Sequence, residues 1–414
     1  MIPGRAAETV RHAAAMIDLK PIIERIVPRI RQLRRELHAN PEPGYKEVAT
    51  AARVAAMLEG LPGFALRRNV AVTGLVATLD GHKAGPCVAL RADMDCLPIL
   101  EETGLPYAST KPGLMHACGH DGHTAALLGA ALVLAQARDD LRGPVKFIFQ
   151  PAEEGGGGGR RMTEEGVLEN PHVEAIFGHH NMPGSDIALG DVGLRPGAIM
   201  GGTCDFVIEV RGRGGHAAAP HAAVDPIYVG AQIVNALQSL VSRTQNPVET
   251  LVITVGRFHA GTASNIIPES AELEGTIRSL SPEVLKQAPE RVAALARSIA
   301  AAHGALAEVR LMPGYPVTVN DARAAEYVAS VGRIVAGAGH VRADHPPSLG
   351  AEDFAYFLEA RTGCYYFVGT RPHDKPAVPF CHHPKFDYND DALPLAIEMH
   401  CELARRFAES WNHG

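Results

Sequence analysis

The chain has 414 residues, with 39 basic against 46 acidic side chains and a net charge of −7. Its basic residues are scattered, which leaves no electrostatic footprint for nucleic acid or an anionic membrane surface. Seven cysteines, odd in number and spread along the chain, argue for a reducing compartment rather than a disulfide framework.

At ~150 residues per domain the length predicts two or three domains. In "MIPGRAAETVRHAAAMIDLK", Arg5, Glu8, Arg11 and Asp18 interrupt every apolar run, so no secretory leader is expected. The longest apolar stretch, Ala125 to Ala135, falls far short of the ~20 residues that span a bilayer. The expectation is a soluble, cytoplasmic protein.

From the N-terminus, "IERIVPRIRQLRRELHANPEP" predicts an amphipathic helix that ends before Pro41, with Pro28 as a kink or a late start. Near-continuous apolar runs at Pro86–Ala92, Val145–Gln150 and Val173–Gly178 read as buried strands. A helix over His123–Ala137 separates the first two, and a shorter one from about Arg160 to Leu168 separates the last two. This alternation implies an α/β sheet covered on both faces.

The pattern changes near Arg195 to Gly202. "TCDFVIEVRG" alternates like a half-buried strand. A helix over Asp225–Arg243, strands "ETLVITVGRF" and "AELEGTIRSL", a helix from Ser281 to Gly304 and a strand "ALAEVRLM" follow. That β-α-β-β-α-β order is ferredoxin-like. The remainder returns to α/β character with "TGCYYFVGT" and a closing helix. The expected architecture is a discontinuous α/β unit of residues 1–195 and 315–414, mostly parallel in its sheet. An α+β unit of residues 196–314 is inserted into it.

In open α/β sheets, ligands bind beyond the carboxyl ends of the strands. Three predicted strands release Asp93 and Asp95, then Glu153 and Glu154, then His179 and His180 at that edge. "MHACGHDGH" adds His116, Cys118, His120, Asp121 and His123, and "CHHP" adds His382 and His383. Paired glutamates or paired histidines alone are ordinary surface features. Three histidines and a cysteine within the eight residues His116–His123 match no packing period. Thiolate, imidazole and carboxylate together are what divalent first-row metals take.

If Glu154 binds a metal, Glu153 can remain free beside water that the cation acidifies from a pKa of about 15.7 to about 7. A free carboxylate there can accept the proton and deliver it to a leaving amine. The glycines of "PAEEGGGGG" then permit a tight turn out of the strand. A phosphate cradle is the rival reading, but the two glutamates put negative charge where a pyrophosphate would sit.

"RADMDCLPI", "MHACGHDGHTAALLGAA", "FQPAEEGGGG", "FGHHNMP", "GRGGHAAAPHAAVDP", "NIIPESAELEGTIR", "LGAEDFAYF" and "HHPKFD" occur in this order. Over roughly Arg34 to the C-terminus the chain resembles the metallopeptidase family of hippurate hydrolases, N-acyl-L-amino-acid amidohydrolases and plant auxin-conjugate hydrolases. The resemblance implies an amidohydrolase with two divalent ions (Zn, Mn, Co or Ni) acting on N-acyl-amino acids, or a related carboxypeptidase or dipeptidase. It implies Cys118, His120, Glu154, His180 and His382 as ligands, with the register choosing between adjacent histidines, and Glu153 as general base and acid. Asp95 would orient His120, and Asp353 is a weaker site candidate. His216 would steady the oxyanion, from its own chain or from a partner subunit of a homodimer or homotetramer. Asn265 and Arg278 would bind the substrate's carbonyl and carboxylate. Cys96 reads as a buried, inert thiol, and Arg160 stands where a small residue is expected.

Overall fold

The first helix, α1, spans Lys20–Ala39 and carries Pro28 in its interior. A late start at Pro28 is not what forms. Pro21 occupies the first turn, where a missing N–H costs nothing, and the helix begins there. The structure, a computed structural model, describes residues 16–184 and 186–411. Arg5, Glu8 and Arg11, on which the leader expectation rests, lie outside that range.

A helix α2 (Val48–Leu58) follows, in a stretch for which the sequence raised no expectation. Next come strands β1 (Phe64–Val70), β2 (Gly74–Leu79) and β3 (Cys87–Asp93), then helix α3 (His120–Gln136). Strand β4 (Val145–Gln150), helix α4 (Gly158–Glu164) and strand β5 (Val173–Met182) complete the first half. The inserted segment holds β6 (Gly202–Arg211), α5 (Pro226–Ser242), β7 (Val252–Ala260), β8 (Ser270–Ser279), α6 (Pro282–Ala302) and β9 (Leu306–Pro313). Helix α7 (Ala322–Val335), strand β10 (Gly363–Gly369) and helix α8 (Leu393–Trp411) follow it.

The large sheet runs β1-β2-β4-β3-β5-β10 and continues into two short strands at Val192–Gly193 and Val341–Arg342. Its centre, β4-β3-β5-β10, is parallel. Every residue of β3 and β4 is buried, as strands covered on both faces require. Helices α1, α3 and α8 cover one face through a core that includes Leu127, Leu128, Phe147 and Ile397. Ile148, Ile176, Phe354 and Phe357 fill the other face.

The second sheet has the order β7-β8-β6-β9 and is antiparallel throughout. Numbered within the insert this is 2-3-1-4, the ferredoxin-like arrangement that the element order predicts. Helices α5 and α6 bury Ile233, Leu237 and Val292 against Phe206, Ile208 and Leu273. Both start on capping side chains. Asp225 accepts from the N–H groups of Ile227 and Tyr228, and Ser281 accepts from Val284. The chain passes between the sheets at two crossovers lying side by side, where the Thr203 N–H donates to the Tyr315 carbonyl at 2.9 Å.

Candidate metal centre

The carboxyl ends of β3, β4 and β5 do converge. Past β3, Asp95 turns back with 1% of its surface exposed. Its carboxylate accepts from the N–H of Glu153 at 3.0 Å and of Glu154 at 2.9 Å. The same carboxylate lies 3.2 Å from His120 Nδ1, and the Asp95 carbonyl lies 3.0 Å from it. One side chain thus orients an imidazole and the backbone of both glutamates. It leaves His120 Nε2 pointing the other way.

His120 opens α3 three residues earlier than the periodicity suggests, because Gly119 at φ +93° makes the turn. A Cβ at Gly119 would lie 2.2 Å from Asn181 Oδ1, so both the conformation and the space demand glycine. The run after Glu154 has a similar cause: a Cβ on Gly158 would sit 1.7 Å from the Pro151 carbonyl oxygen. The glycines let the chain fold back on the strand it has left, inside the large unit and not between units.

Five ligand-type side chains surround one void. Cys118 Sγ is 3.3 Å from His180 Nε2, and His382 Nε2 is 3.3 Å from Glu154 Oε1. His120 Nε2 lies 3.9 Å from carboxylate oxygens of both Glu153 and Glu154. Donor atoms of Cys118, His120 and His180 lie within 4.8 Å of one another, as do those of Cys118, Glu154 and His382. At Zn–N and Zn–S lengths of ~2.0–2.3 Å, tetrahedral ligand atoms stand about 3.3–3.8 Å apart, so these spacings suit shared cations. His120 Nε2 and Glu154 Oε1 are buried without a hydrogen-bond partner, which a coordinated cation would supply. The residues present fit a pair of divalent ions.

The adjacent histidines separate cleanly. His179 faces inward, with Nδ1 2.9 Å from His400 Nε2, away from the void. His383 Nδ1 accepts from the Lys385 N–H. His180 and His382 alone turn to the cluster. His116 is buried apart from it, its pKa lowered to about 4 chiefly by burial. Cys96 is 4% exposed and pushed up to about 12 by burial, as an inert thiol would be. Glu153 is 6% exposed. Burial, reinforced by the charges of Glu352, Glu154, Asp353 and Asp95, holds its carboxyl well above the usual range.

A cavity of about 820 Å³ opens over these residues, between the two sheets. Cys118, Glu153, Glu154, His180 and His382 line one wall, and Thr203, Asp205 and Arg278 of the second sheet line the other. Arg278 donates to the Leu349 carbonyl at 3.0 Å. Arg160 reaches the rim, paired with Glu164 at 2.8 Å. His216 and Asn265 are not brought to this cavity. Both are exposed and line a separate one of about 450 Å³ with Ile266 and Glu269.

Three features escaped sequence reading. Cys381 lines the cavity beside Cys118, although it stands in the "CHHP" that supplies His382. Tyr315 lies under the glutamate loop. A buried network behind the site joins Arg91 to Asp93, Glu352 and Asp353. Asp353 also accepts from Gln150 and from the Gly159 N–H, so it braces the glycine turn rather than facing the void.

The sequence pattern of Peptidase family M20/M25/M40 matches residues 89–406. The chain belongs to this family. It is 41% identical to the N-acetyl-L-cysteine deacetylase of Bacillus subtilis (strain 168), over 98% of this chain and 94% of that protein. It is 41% identical to thermostable carboxypeptidase 2 of Saccharolobus solfataricus, over 94% of this chain and 98% of that one. The crystal structure of the Bacillus subtilis YXEP protein, described as a dinuclear metal-binding peptidase of the M20 family, superposes with a TM-score of 0.80. It is 36% identical, covering 94% of this chain and 99% of that one. The resemblance drawn from the motifs and the family match agree.

Proposed function

We propose that this M20-family chain is a metal-dependent amidohydrolase that cleaves N-acyl-amino acids to a carboxylic acid and an amino acid. The observation that carries the reading is a division of labour between neighbours. Glu154 turns its oxygen toward His382 and a void with unpartnered donor atoms, while Glu153 lines the same cavity with no basic side chain hydrogen-bonded to it.

Cys118, His120, Glu154, His180 and His382 would hold two divalent ions, with Zn, Mn, Co and Ni all suited to the donor set. When bound, such ions polarise a carbonyl and acidify water. Glu153 takes a proton from the attacking water and gives it to the leaving nitrogen, so the C–N bond breaks as the amine becomes neutral. Asp95 keeps His120 and both glutamates in register. Arg278 would pair with the substrate's carboxylate by parallel N–H donors. His216 would donate to the oxyanion and Asn265 to the substrate carbonyl from a second subunit of a homodimer or homotetramer. Their exposure and their place in a cavity separate from this chain's own cluster support that placement. We divide the chain into a metal-binding unit, 1–195 with 315–414, and a lid and dimerisation unit, 196–314. We place the protein in the cytoplasm, in keeping with seven unpaired cysteines. No described helix is long and apolar enough to cross a membrane.

The test is turnover of N-acetyl- and N-benzoyl-amino acids, hippurate included, against dipeptides, before and after chelation. Activity on the acylated panel that chelation abolishes and divalent ions restore supports the reading; activity on dipeptides alone replaces it. That second outcome, a carboxypeptidase or dipeptidase, is favoured by the similarity to thermostable carboxypeptidase 2.

A further inference from the structure

Tyr315 is the second residue past β9, on the crossover that returns the chain from the small sheet to the large one. Its backbone is fixed to the other crossover: its carbonyl accepts from the Thr203 N–H at 2.9 Å, and its N–H reaches Thr203 Oγ1 at 3.3 Å. Its side chain enters the large unit under the glutamate loop. The hydroxyl donates to the Glu153 carbonyl and accepts from the Gly157 N–H at 3.1 Å. The ring stands edge-on to Tyr356 at 6.1 Å between centroids.

The loop it touches needs holding. Ala152 stands at φ +53°, a left-handed conformation that a residue with a Cβ rarely adopts. Asp95 grips the N–H of Glu153 from the sheet side, and Tyr315 grips its carbonyl from the crossover side. The backbone of Glu153 is therefore held at both its N–H and its carbonyl, one contact from each side of the junction between the sheets, and the carbonyl also accepts from the Gly155 N–H at 2.7 Å.

We propose that Tyr315 is a positioning residue for Glu153: its hydroxyl fixes the glutamate's backbone and ties the aim of the carboxylate to the crossover that carries the second sheet. This rests on the reading of Glu153 as the proton carrier. Tyr315 touches no reacting atom and acts through that backbone alone. Loss of the hydroxyl cuts the Glu153 carbonyl's tie to the crossover and leaves it the Gly155 N–H of its own turn, and a displacement of ~1 Å at a reacting group costs roughly 100-fold in rate.

The experiment compares the metal-loaded wild type with Tyr315→Phe and Glu153→Gln on one N-acyl-amino acid. The expected result for Tyr315→Phe is a kcat lower by roughly 10–100-fold, with KM and bound metal held near wild type and a modestly lower melting temperature, since two hydrogen bonds go with the hydroxyl. Its solvent deuterium isotope effect on kcat should rise, because proton transfer by a loosely held base limits the rate more. A hydroxyl that merely caps the glycine turn would move the melting temperature or metal content and leave the isotope effect alone, and that result overturns the proposal. So does a Tyr315→Phe enzyme with wild-type kcat while Glu153→Gln is inactive; in that case the reading of Glu153 survives and the tether does not. An active Glu153→Gln overturns both.

Discussion

The edge of the large sheet and the short Gly215–His216 strand of the small unit carry the same residue type under opposite conditions. His120 is 1% exposed, is held by the Asp95 carboxylate and carbonyl, and keeps one nitrogen free in a crowded void. His216 is exposed, and its ring Nδ1 accepts from the Ala218 N–H two residues further along the chain. A group that must hold a cation is built in advance by its own chain. A group that must meet a substrate as charge develops can be left outside until the site closes or a second subunit arrives. The candidate metal-holding side chains are gathered within one chain, and His216 is not gathered with them.

Four measurements bear on that contrast. The largest effect is expected on the built-in side: Glu153→Gln should lower kcat by roughly 10²–10⁴-fold with metal content unchanged. Coordinated metal lost along with activity would move Glu153 into the ligand set. On the open side, His216→Ala should cost roughly 10²–10³-fold in kcat with metal retained. Mixing the inactive Glu153→Gln and His216→Ala proteins should then restore turnover above either alone. No gain on mixing would bring His216 back to its own chain's site.

Next in size, Asp95→Ala should weaken metal binding by roughly 10–100-fold, read by competition with a chromogenic chelator, because His120 loses its orienting partner. The smallest expected effect concerns stability. Burial disfavours the charge on His38, but Asp121 at 2.8 Å and Glu101 at 3.3 Å outweigh it and raise its pKa to about 9. A group raised in the folded state lends stability that is whole below its unfolded value of ~6.5 and is lost as pH climbs through the folded one. The unfolding free energy should therefore fall between about pH 6.5 and 9, and His38→Gln should flatten that stretch of the curve.

What the sequence disclosed and what it hid have a common physical cause. Cys118, His120, Glu153 and Glu154 sit in short dense motifs at strand and helix ends, where the chain's own periodicity breaks and chemistry shows through. Periodicity alone did not separate His179 from His180, because a strand's alternation leaves either face open until the neighbouring helix is placed; the resemblance chose His180. His400 on α8, 221 residues away along the chain, holds His179 away from the void. Tyr315 and the Arg91 network were invisible for the same reason, since each joins segments whose closeness only folding creates. Helix α2, with its alanine-rich run, offered too little contrast between faces to be read.

Asp95 has a consequence for how such a protein can change over generations. One carboxylate steers both a candidate metal-gripping imidazole and the backbone of the candidate acid–base residue. On the proposed roles of those two residues, a substitution there would shift cation affinity and reaction rate together. On the proposed function the two traits would be inherited together, and variation in substrate choice would fall to the opposite wall of the cavity.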